Sequence, residues 1–227
     1  RQRQMCIRDR TGEGLNRIAL DGGIITADAG VSLARLGVFA WQHSLTGLEF
    51  AHGIPGSLGG GVVMNAGAYG GELKDVLTEV TALFPDGVRT LRGEELALGY
   101  RRSFFTDHPK AVVLRAKLAL HGGDQEAIKA RMEELSAKRR ASQPLEMPSA
   151  GSTFKRPEGY FAGTLIEQCG LKGKHVGGAE VSRKHAGFVV NAGGATCADV
   201  LALIKKVQDT VFTATGVTLE PEVKIIR

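Results

Sequence analysis

A run of nineteen residues from Gly53 to Gly71, GIPGSLGGGVVMNAGAYGG, contains eight glycines. Glycine loses more conformational entropy on folding than other residues, so this density is unfavourable unless the backbone must approach something closely. Backbone N–H groups without intervening side chains can bind a phosphate or lie against a flat ring. Tight turns and close internal packing are the alternative explanation. The run fits neither the GxGxxG nor the GxxxxGK[ST] pattern, which disfavours the dinucleotide and P-loop folds.

The composition is that of an ordinary globular protein, with 43% hydrophobic and 23% charged residues in a chain of 227. No apolar run is long enough to cross a membrane, and no secretory signal pattern is visible. The cysteines, Cys6, Cys169 and Cys197, are scattered and form no CxxC pair, and the six histidines show no HExxH spacing. We therefore expect a reducing, cytoplasmic location, no membrane partner and no metal site.

The formal charge of +5 and the pI of about 9.2 raise the question of nucleic-acid binding. The first ten residues, RQRQMCIRDR, carry four Arg against one Asp and so supply +3 of that charge. This decapeptide does not begin with Met and has no hydrophobic period, and we interpret residues 1–10 as a non-native leader. Aromatic residues amount to 6% and do not alternate with Lys or Arg, so stacking platforms for bases are lacking. A basic nucleic-acid-binding module is therefore the weaker hypothesis.

The pattern along the chain predicts two units, 11–121 and 122–227. In the first, residues 24–30 are typical of a strand that ends in a turn, and Ser32 is placed to cap a helix through Trp41. The tripeptide Pro85-Asp86-Gly87 between two apolar runs predicts a hairpin. A further strand is predicted to bury one face, because apolar and charged residues alternate there. The apolar members are Leu114, Ala116, Leu118 and Leu120.

The second unit is predicted to open with a helix capped by Asp124 and to bury Ile128, Met132 and Leu135 on one stripe. A strand follows over residues 185–191. Thr196 then begins a long amphipathic helix, carrying Val200, Ile204, Val207 and Val211, and Gly216 ends it. The final element is a predicted strand over residues 222–226.

The glycine-rich run closely resembles the flavin-contacting segment of the MurB family of UDP-N-acetylenolpyruvoylglucosamine reductases. In that family the backbone of this segment lies along the pyrophosphate and isoalloxazine ring of FAD. The resemblance implies a noncovalent FAD site, and structural roles for His43 and His52. The implied cofactor contacts are Pro55, Gly56, Ser57, Gly59, Asn65, Ala66 and Gly67.

Residues 99–105, GYRRSFF, are similar to the family's GYRxSxF motif. An arginine offers a rigid fork of donors that suits a carboxylate. Taken without the resemblance, an arginine pair at a strand end is usually exposed and has no role. The resemblance implies that Arg101 is the catalytic arginine and that Tyr100 contacts substrate, whereas Arg102 falls at a variable position.

Residues 148–157, PSAGSTFKRP, and 219–225, LEPEVKI, are similar to two further motifs of the family. By themselves a serine beside glycine indicates a turn or a cap, and the glutamates read as exposed strand residues. The resemblance implies that Ser152 is the proton donor and Glu222 the catalytic glutamate. It also implies that Lys155 and Arg156 could meet the diphosphate of a UDP-sugar, although solvated surface charge is the competing reading.

The resemblance extends over residues 14–226 and implies an α+β protein. Residues 11–121 would form an FAD-binding domain of the vanillyl-alcohol-oxidase (PCMH) type, lacking its N-terminal subdomain, and 122–227 a MurB-type substrate domain. Only 45 residues separate Ser103 from Ser149, without a tyrosine. This spacing resembles the shorter class of the family, which lacks the Tyr-bearing loop that closes over substrate.

The implied activity is that of an NADPH-dependent UDP-N-acetylmuramate dehydrogenase, which reduces a UDP-sugar enolpyruvate for peptidoglycan synthesis. The enzyme is expected to be monomeric and cytoplasmic. Cell-wall formation, cell shape and cell division would depend on it. Two alternatives stay open at this point. One is a flavin oxidase or dehydrogenase of the same fold acting on another substrate, and the other is a truncated, inactive fragment.

Overall fold

A computed structural model describes residues 13–225 of the chain. It shows two compact units, the first extending to Lys138 and the second beginning at Arg139. The expected leader, residues 1–10, lies outside the described residues. The sequence pattern placed the boundary between residues 121 and 122. In the structure the division falls inside the helix Gln125–Ser142, because Leu135 of that helix packs in the core of the first unit.

The first unit is built on a five-stranded antiparallel sheet with the strand order β1-β2-β8-β6-β7. Two pairs of two-residue strands accompany it, β3 with β9 and β4 with β5. The strands are β1 Ile18–Asp21, β2 Ile24–Asp28, β3 Leu45–Thr46, β4 Gly67–Ala68, β5 Gly71–Glu72, β6 Leu77–Phe84, β7 Gly87–Arg92, β8 Val112–Ala119 and β9 His121–Gly122.

The β6–β7 hairpin confirms the turn predicted at Pro85-Asp86-Gly87, and Gly87 adopts a φ of 131° that disfavours side chains. The alternation predicted for β8 holds in Ala116, Leu118 and Leu120, which are buried. It is interrupted farther back, where a register shift lies between Thr81 and Ala82 of β6. Because of this bulge Val113 enters the core, and Leu114 is only half-buried.

Three helices lie in the connections of the sheet: α1 Leu33–Gln42, α2 Leu58–Met64 and α3 Phe104–Asp107. Ser32 caps α1 as predicted, since its Oγ accepts the N–H of Arg35 at 3.1 Å. The core of the unit combines one face of the sheet with the buried faces of α1 and α2. Its fully buried members include Ile25, Leu33, Leu36, Leu58, Val80 and Leu118.

The helix predicted after Asp124 is present as α4 Gln125–Ser142. The carboxylate of Asp124 accepts the N–H of Ala127 at 2.8 Å, which caps the first turn. Ile128, Met132 and Leu135 are buried on one stripe, as their spacing predicted. None of the helices in residues 13–225 combines the length and apolarity needed to cross a membrane.

The second unit consists of a four-stranded antiparallel sheet and two helices. The sheet order is β10-β13-β12-β11, and α6 packs against β11 and β12. Its core contains Ile166, Leu203, Val207, Val211 and Leu219. The elements are β10 Ser149–Ser152, α5 Ala162–Gln168, β11 His175–Val176, β12 Ala179–Val181, β13 Phe188–Asn191 and α6 Cys197–Thr215.

Both ends of α6 confirm the sequence-based prediction. Thr196 and Asp199 form a capping box, each side chain accepting the other residue's backbone N–H. Hydrogen bonds to its carboxylate, from the backbone N–H of Thr196 first and the Thr196 side chain second, lower the pKa of Asp199 below its ordinary value. At the other end Gly216 has a φ of 73°, the left-handed conformation that commonly ends a helix.

Two predicted strands are altered in the structure. The strand expected over residues 185–191 is shorter, because residues 182–187 form a turn and β13 begins at Phe188. The strand expected over residues 222–226 is wrong for the described residues 222–225. There an isolated bridge pairs Pro221 with Phe154, and the backbone after Glu222 does not continue the ladder. Ile226 lies outside the described residues.

Candidate active site

The glycine-rich segment leads into α2. The backbone N–H groups of Leu58 and Gly59 donate to carbonyls of the turn after β2, at 2.7 and 2.9 Å, so these two groups are used within the fold. Within residues 13–225, the N–H groups of Gly56 and Ser57 show no acceptor. Pro55 and Gly56 are exposed, and Ser57 is half-buried.

The glycines of this segment serve different purposes. A Cβ at Gly59 would lie 2.9 Å from the Cβ of Ala29, and a Cβ at Gly67 would lie 2.7 Å from the carbonyl oxygen of Gly71. A Cβ at Gly56 would meet no heavy atom within 4 Å. The φ of Gly56 also lies outside the left-handed region. The fold itself therefore requires glycine at positions 59 and 67 but not at position 56.

Asn65 ends α2 in the left-handed conformation, with a φ of 42°, and is fully buried. Its Nδ2 donates to Glu72 Oε2 at 2.7 Å and to the carbonyl of Gly99 at 3.0 Å. Its Oδ1 accepts the N–H of Lys74 at 2.9 Å. The N–H of Ala66 donates to the carbonyl of Gly61, and its own carbonyl accepts the N–H of Leu73. Of the residues expected to contact a cofactor, these two are thus engaged mainly in holding the segment together.

Arg101 lies in a tight turn that Gly99 and Arg102 close by exchanging two backbone hydrogen bonds of 3.0 and 3.2 Å. Its φ of 53° is uncommon for a residue with a side chain. The guanidinium Nη1 donates to the carbonyl of Gly67 at 3.4 Å, and its Cζ lies 5.3 Å from the ring centroid of the half-exposed Tyr100. The structure therefore brings the predicted catalytic arginine to the glycine-rich segment.

The turn is also fastened to α2 from its other side. The buried Ser103 donates its hydroxyl to the carbonyl of Val63 at 2.8 Å, and Thr106 donates to the same oxygen at 3.2 Å. Together with the bond from Asn65 to Gly99, these contacts join two motifs that lie more than thirty residues apart. Sequence analysis gave Ser103 no role, although it is the serine of the GYRxSxF motif.

In the second unit, Ser152 and Glu222 both lie next to Thr153. Ser152 is the exposed last residue of β10, and its Oγ donates to the carbonyl of Phe154 at 3.3 Å. Thr153, which is buried, accepts the N–H of Glu222 on its carbonyl oxygen at 2.9 Å. The structure thus brings the backbones of the predicted proton donor and the predicted catalytic glutamate to the same residue, Thr153.

The two predicted substrate-binding cations have partners within the unit. Lys155 forms an ion pair with Glu220, and its backbone N–H also donates to the Glu220 carbonyl at 2.9 Å. The guanidinium of Arg156 lies over the exposed ring of Phe161, with Cζ 4.0 Å from the centroid. A phosphate at Lys155 would therefore compete with the carboxylate of Glu220 for the ammonium.

Two protein-family models match the chain. The FAD binding domain matches residues 10–91. The UDP-N-acetylenolpyruvoylglucosamine reductase, C-terminal domain, matches residues 143–226. A UDP-N-acetylenolpyruvoylglucosamine reductase of Syntrophomonas wolfei is 53% identical over 218 residues, which make up 96% of this chain and 73% of that relative. The chain belongs to the UDP-N-acetylenolpyruvoylglucosamine reductase family.

Other members of the family are also similar to this chain. A reductase of the same name from Agathobacter rectalis is 59% identical over 204 residues, covering 89% of this chain and 65% of that relative. The crystal structure of the enzyme from Thermus caldophilus matches with a TM-score of 0.83 at 37% identity, over 95% of this chain and 76% of that one. The chain thus spans about two thirds to three quarters of the length of these relatives. The expected pair of domains, one for FAD and one specific to the family, is confirmed.

FAD is the cofactor that the first domain implies, and the residues present fit it. The stretch Pro55 to Ser57, exposed at its first two residues, offers two backbone N–H groups and a glycine that the fold does not need. Such a stretch lets a phosphate or a flat ring approach the main chain. Gly59 and Gly67 contribute differently, by close packing that shapes the segment. Among residues 13–225, no group of three or more His, Cys, Asp or Glu is arranged to hold a metal ion.

Proposed function

We propose that the chain carries the reductase chemistry of its family, in which UDP-N-acetylglucosamine enolpyruvate is reduced to UDP-N-acetylmuramate with NADPH as co-substrate. It would then be a UDP-N-acetylmuramate dehydrogenase. The observation that supports this most strongly is the position of Ser152 and Glu222 next to Thr153. Ser152 precedes Thr153 in the chain, and the N–H of Glu222 donates to the Thr153 carbonyl. This arrangement occurs in a chain 53% identical, over 96% of its length, to a reductase of that name.

In this proposal Pro55, Gly56 and Ser57 would hold FAD noncovalently through exposed main chain, while Gly59, Asn65, Ala66 and Gly67 maintain the shape of the segment. When bound, FAD would supply the hydride, obtained from NADPH, that adds to the methylene carbon of the enolpyruvyl group. The chain's own residues would supply charge stabilisation, orientation and a proton.

Arg101 would stabilise the negative charge that develops on the substrate during the reduction. Hydride addition to the methylene carbon places negative charge on the neighbouring carbon and on its carboxylate. A guanidinium fork can bind both carboxylate oxygens, so it stabilises this charge where an ammonium would hold one point. The turn that carries Arg101 is fastened by Asn65 and Ser103, which reduces the reorganisation needed during the reaction. Tyr100, half-exposed beside the guanidinium, would contact substrate.

Ser152 would donate the proton that completes the reduction. The Oγ–H of Ser152 would be transferred to the carbon that carries the negative charge, which completes the lactyl ether. A serine is a weak acid, yet it suffices for so basic a carbon provided that it is well placed. Glu222 would orient the carboxylate region and support replacement of the proton on Ser152. Lys155 and Arg156 would bind the diphosphate of the substrate.

The biological setting follows from the same proposal. The product is a precursor of peptidoglycan, so the activity would support cell-wall formation, cell shape and division. The UDP-sugar and NADPH are water-soluble, which fits an enzyme of the cytoplasm, and we propose that it acts as a monomer. Nucleic acid would not be a partner, since most of the net positive charge lies in residues 1–10.

The test combines a spectrum with an assay. The purified chain is mixed with FAD and its visible absorption is recorded, and NADPH consumption is then followed with and without UDP-N-acetylglucosamine enolpyruvate. We expect a bound-flavin spectrum, NADPH consumption that requires the UDP-sugar, and a product two hydrogens heavier by mass spectrometry. NADPH consumption that depends on oxygen and ignores the UDP-sugar would instead support a flavin oxidase.

A further inference from the structure

His185 is a half-buried titratable group beside the proposed catalytic serine that the mechanism above does not use. It lies in the turn before β13, where its Nδ1 accepts the backbone N–H of Gly187 at 3.1 Å. A ring nitrogen that accepts a hydrogen bond carries no proton, so the neutral ring holds its proton on Nε2.

Gly187 is the corner to which the Ser152 strand is attached. Its carbonyl oxygen accepts the N–H of Thr153 at 2.8 Å, and the following residue, Phe188, pairs with Ser152. A Cβ at Gly187 would lie 3.1 Å from His185 Cε1 and 3.7 Å from Ser152 Oγ. The imidazole, the corner and the serine hydroxyl are therefore close together.

The network continues to the glutamate. Thr153 accepts the N–H of Val189 on its Oγ1 at 3.0 Å and the N–H of Glu222 on its carbonyl oxygen. A displacement of Gly187 would therefore move Thr153 and, through it, both Ser152 and Glu222. Because Thr153 is buried, the loss of one of these hydrogen bonds cannot readily be offset by a shift of the others.

The imidazole itself is held from two directions. Its Cε1 would lie 3.3 Å from a Cβ at Gly163 of α5, so the helix approaches the ring closely. The ring of Phe188 meets it edge-on, with centroids 5.0 Å apart. Burial, the largest cause, lowers the pKa of His185 below its ordinary value of 6.5, and nearby Lys172 lowers it further. A hydrogen bond with the residue's own backbone and the charge of Glu167 oppose these effects. The ring is thus neutral at pH 7 and able to accept.

We propose that neutral His185 is a positioning residue, whose Nδ1 fixes the Gly187 corner and thereby places Ser152 for proton delivery. This inference rests on the proposed function for its effect on rate. The contact itself, from a side-chain acceptor to the N–H two residues on, is the one that asparagine makes in an Asx turn. Asparagine can therefore replace His185 and keep the same hydrogen bond to the N–H of Gly187.

Two variants separate the acceptor from the ring. His185→Asn keeps an acceptor, Oδ1, for the Gly187 N–H and removes the titrating ring. His185→Phe keeps the ring and its edge contact with Phe188 but removes the acceptor. A purely structural role for a ring that fills space would favour the phenylalanine variant over the asparagine variant.

The first readout is the oxidation of reduced, flavin-loaded protein by UDP-N-acetylglucosamine enolpyruvate. We expect His185→Phe to lower the rate constant at saturating substrate by on the order of ten- to a hundredfold, since small misplacements of a reacting group have effects of that size. Reduction of the flavin by NADPH should be unchanged. His185→Asn should restore most of the rate and should lack the loss of rate that we expect in the parent as the pH falls through the folded-state pKa of His185. Equal rates in the parent and His185→Phe would overturn the proposal.

The second readout needs neither cofactor nor substrate. Amide hydrogen exchange, followed by NMR, should show reduced protection at Gly187, Thr153 and Glu222 in His185→Phe, and near-parental protection in His185→Asn. Unchanged protection at Thr153 in the phenylalanine variant would also overturn the positioning role. A parent protein that does not react with the UDP-sugar would overturn the proposed function instead, and the exchange data would still decide the role of His185.

Discussion

The side-chain amide of Asn65 donates a hydrogen bond to the carbonyl oxygen of Gly99 at 3.0 Å. This bond crosses from the end of α2, inside the glycine-rich segment, to the turn that carries Arg101. The other amide hydrogen and the amide oxygen are also bonded, to Glu72 and Lys74. Asn65 is therefore a buried junction between two motifs, and the position of Arg101 depends on it.

Substitution of Asn65 should lower stability in a graded way. Asn65→Ala leaves buried partners unpaired and places a Cβ-bearing, non-Asx residue at a φ of 42°. We expect a loss of about 2–3 kcal/mol in the free energy of unfolding. Asn65→Gly relieves the backbone and should lose about 1 kcal/mol less. Urea denaturation of the three proteins measures both effects. Equal stability of the parent and Asn65→Ala would show that the hydrogen bonds of Asn65 do not stabilise the link between the two motifs.

Gly56 and Gly59 should respond to alanine in opposite ways. Gly59→Ala forces a Cβ to within 2.9 Å of Ala29, so we expect a stability loss of about 1–3 kcal/mol. Gly56→Ala meets nothing in the fold and should leave stability unchanged. Its effect should appear in FAD affinity, as a weakening of about tenfold or more, measured by flavin fluorescence titration. Unaltered FAD affinity in Gly56→Ala would remove Gly56 from the cofactor site.

The two adjacent arginines give a matched pair for the charge-stabilising role. Arg101→Lys keeps a cation at the turn but loses the planar fork, and we expect substrate reduction to slow by on the order of 10²-fold. Arg102 forms an exposed ion pair with Asp107, so Arg102→Lys should leave the rate nearly unchanged. Rates are compared at saturating UDP-sugar. Similar losses in both variants would argue against a specific role for Arg101.

The stability of the second unit should depend on pH through His185. Burial, the largest cause, lowers the pKa of His185 in the folded protein below 6.5, so the unfolded chain binds the proton more tightly. The stabilisation is complete above about pH 6.5 and is lost as the pH falls toward the folded-state pKa. Unfolding midpoints measured between pH 7 and 5 should show this decline in the parent. His185→Asn should lack that step, and an identical decline in the variant would place its origin elsewhere.

Local chemistry made several elements predictable from the sequence. Ser32, Asp124 and Thr196 are followed by apolar residues at helical spacing, and each does cap a helix. The turn before Gly87 was predictable for the same reason, since its residues set the backbone conformation by themselves. Such signals do not depend on the rest of the chain, and the structure confirms them.

The features that the sequence did not reveal depend on partners distant in the chain. The bulge that moves Val113 into the core arises from its pairing with β6. Lys155 is paired with Glu220, and the segment after Pro221 does not continue as a strand. The motifs indicated which residues to consider, but Asn65 shows that a motif residue can act inside the fold. The placement of Thr153 and His185 could be found only from the three-dimensional pairing of β10 and β13.

Ser152 is proposed to give the proton that completes the reduction, and stopped-flow kinetics of Ser152→Ala isolate that step. The two half-reactions are measured separately on flavin-loaded protein. We expect NADPH to reduce the flavin at the parental rate, whereas reoxidation by UDP-N-acetylglucosamine enolpyruvate should slow by about 10²–10⁴-fold. A parental rate of reoxidation, or an equal fall in both half-reactions, would contradict it.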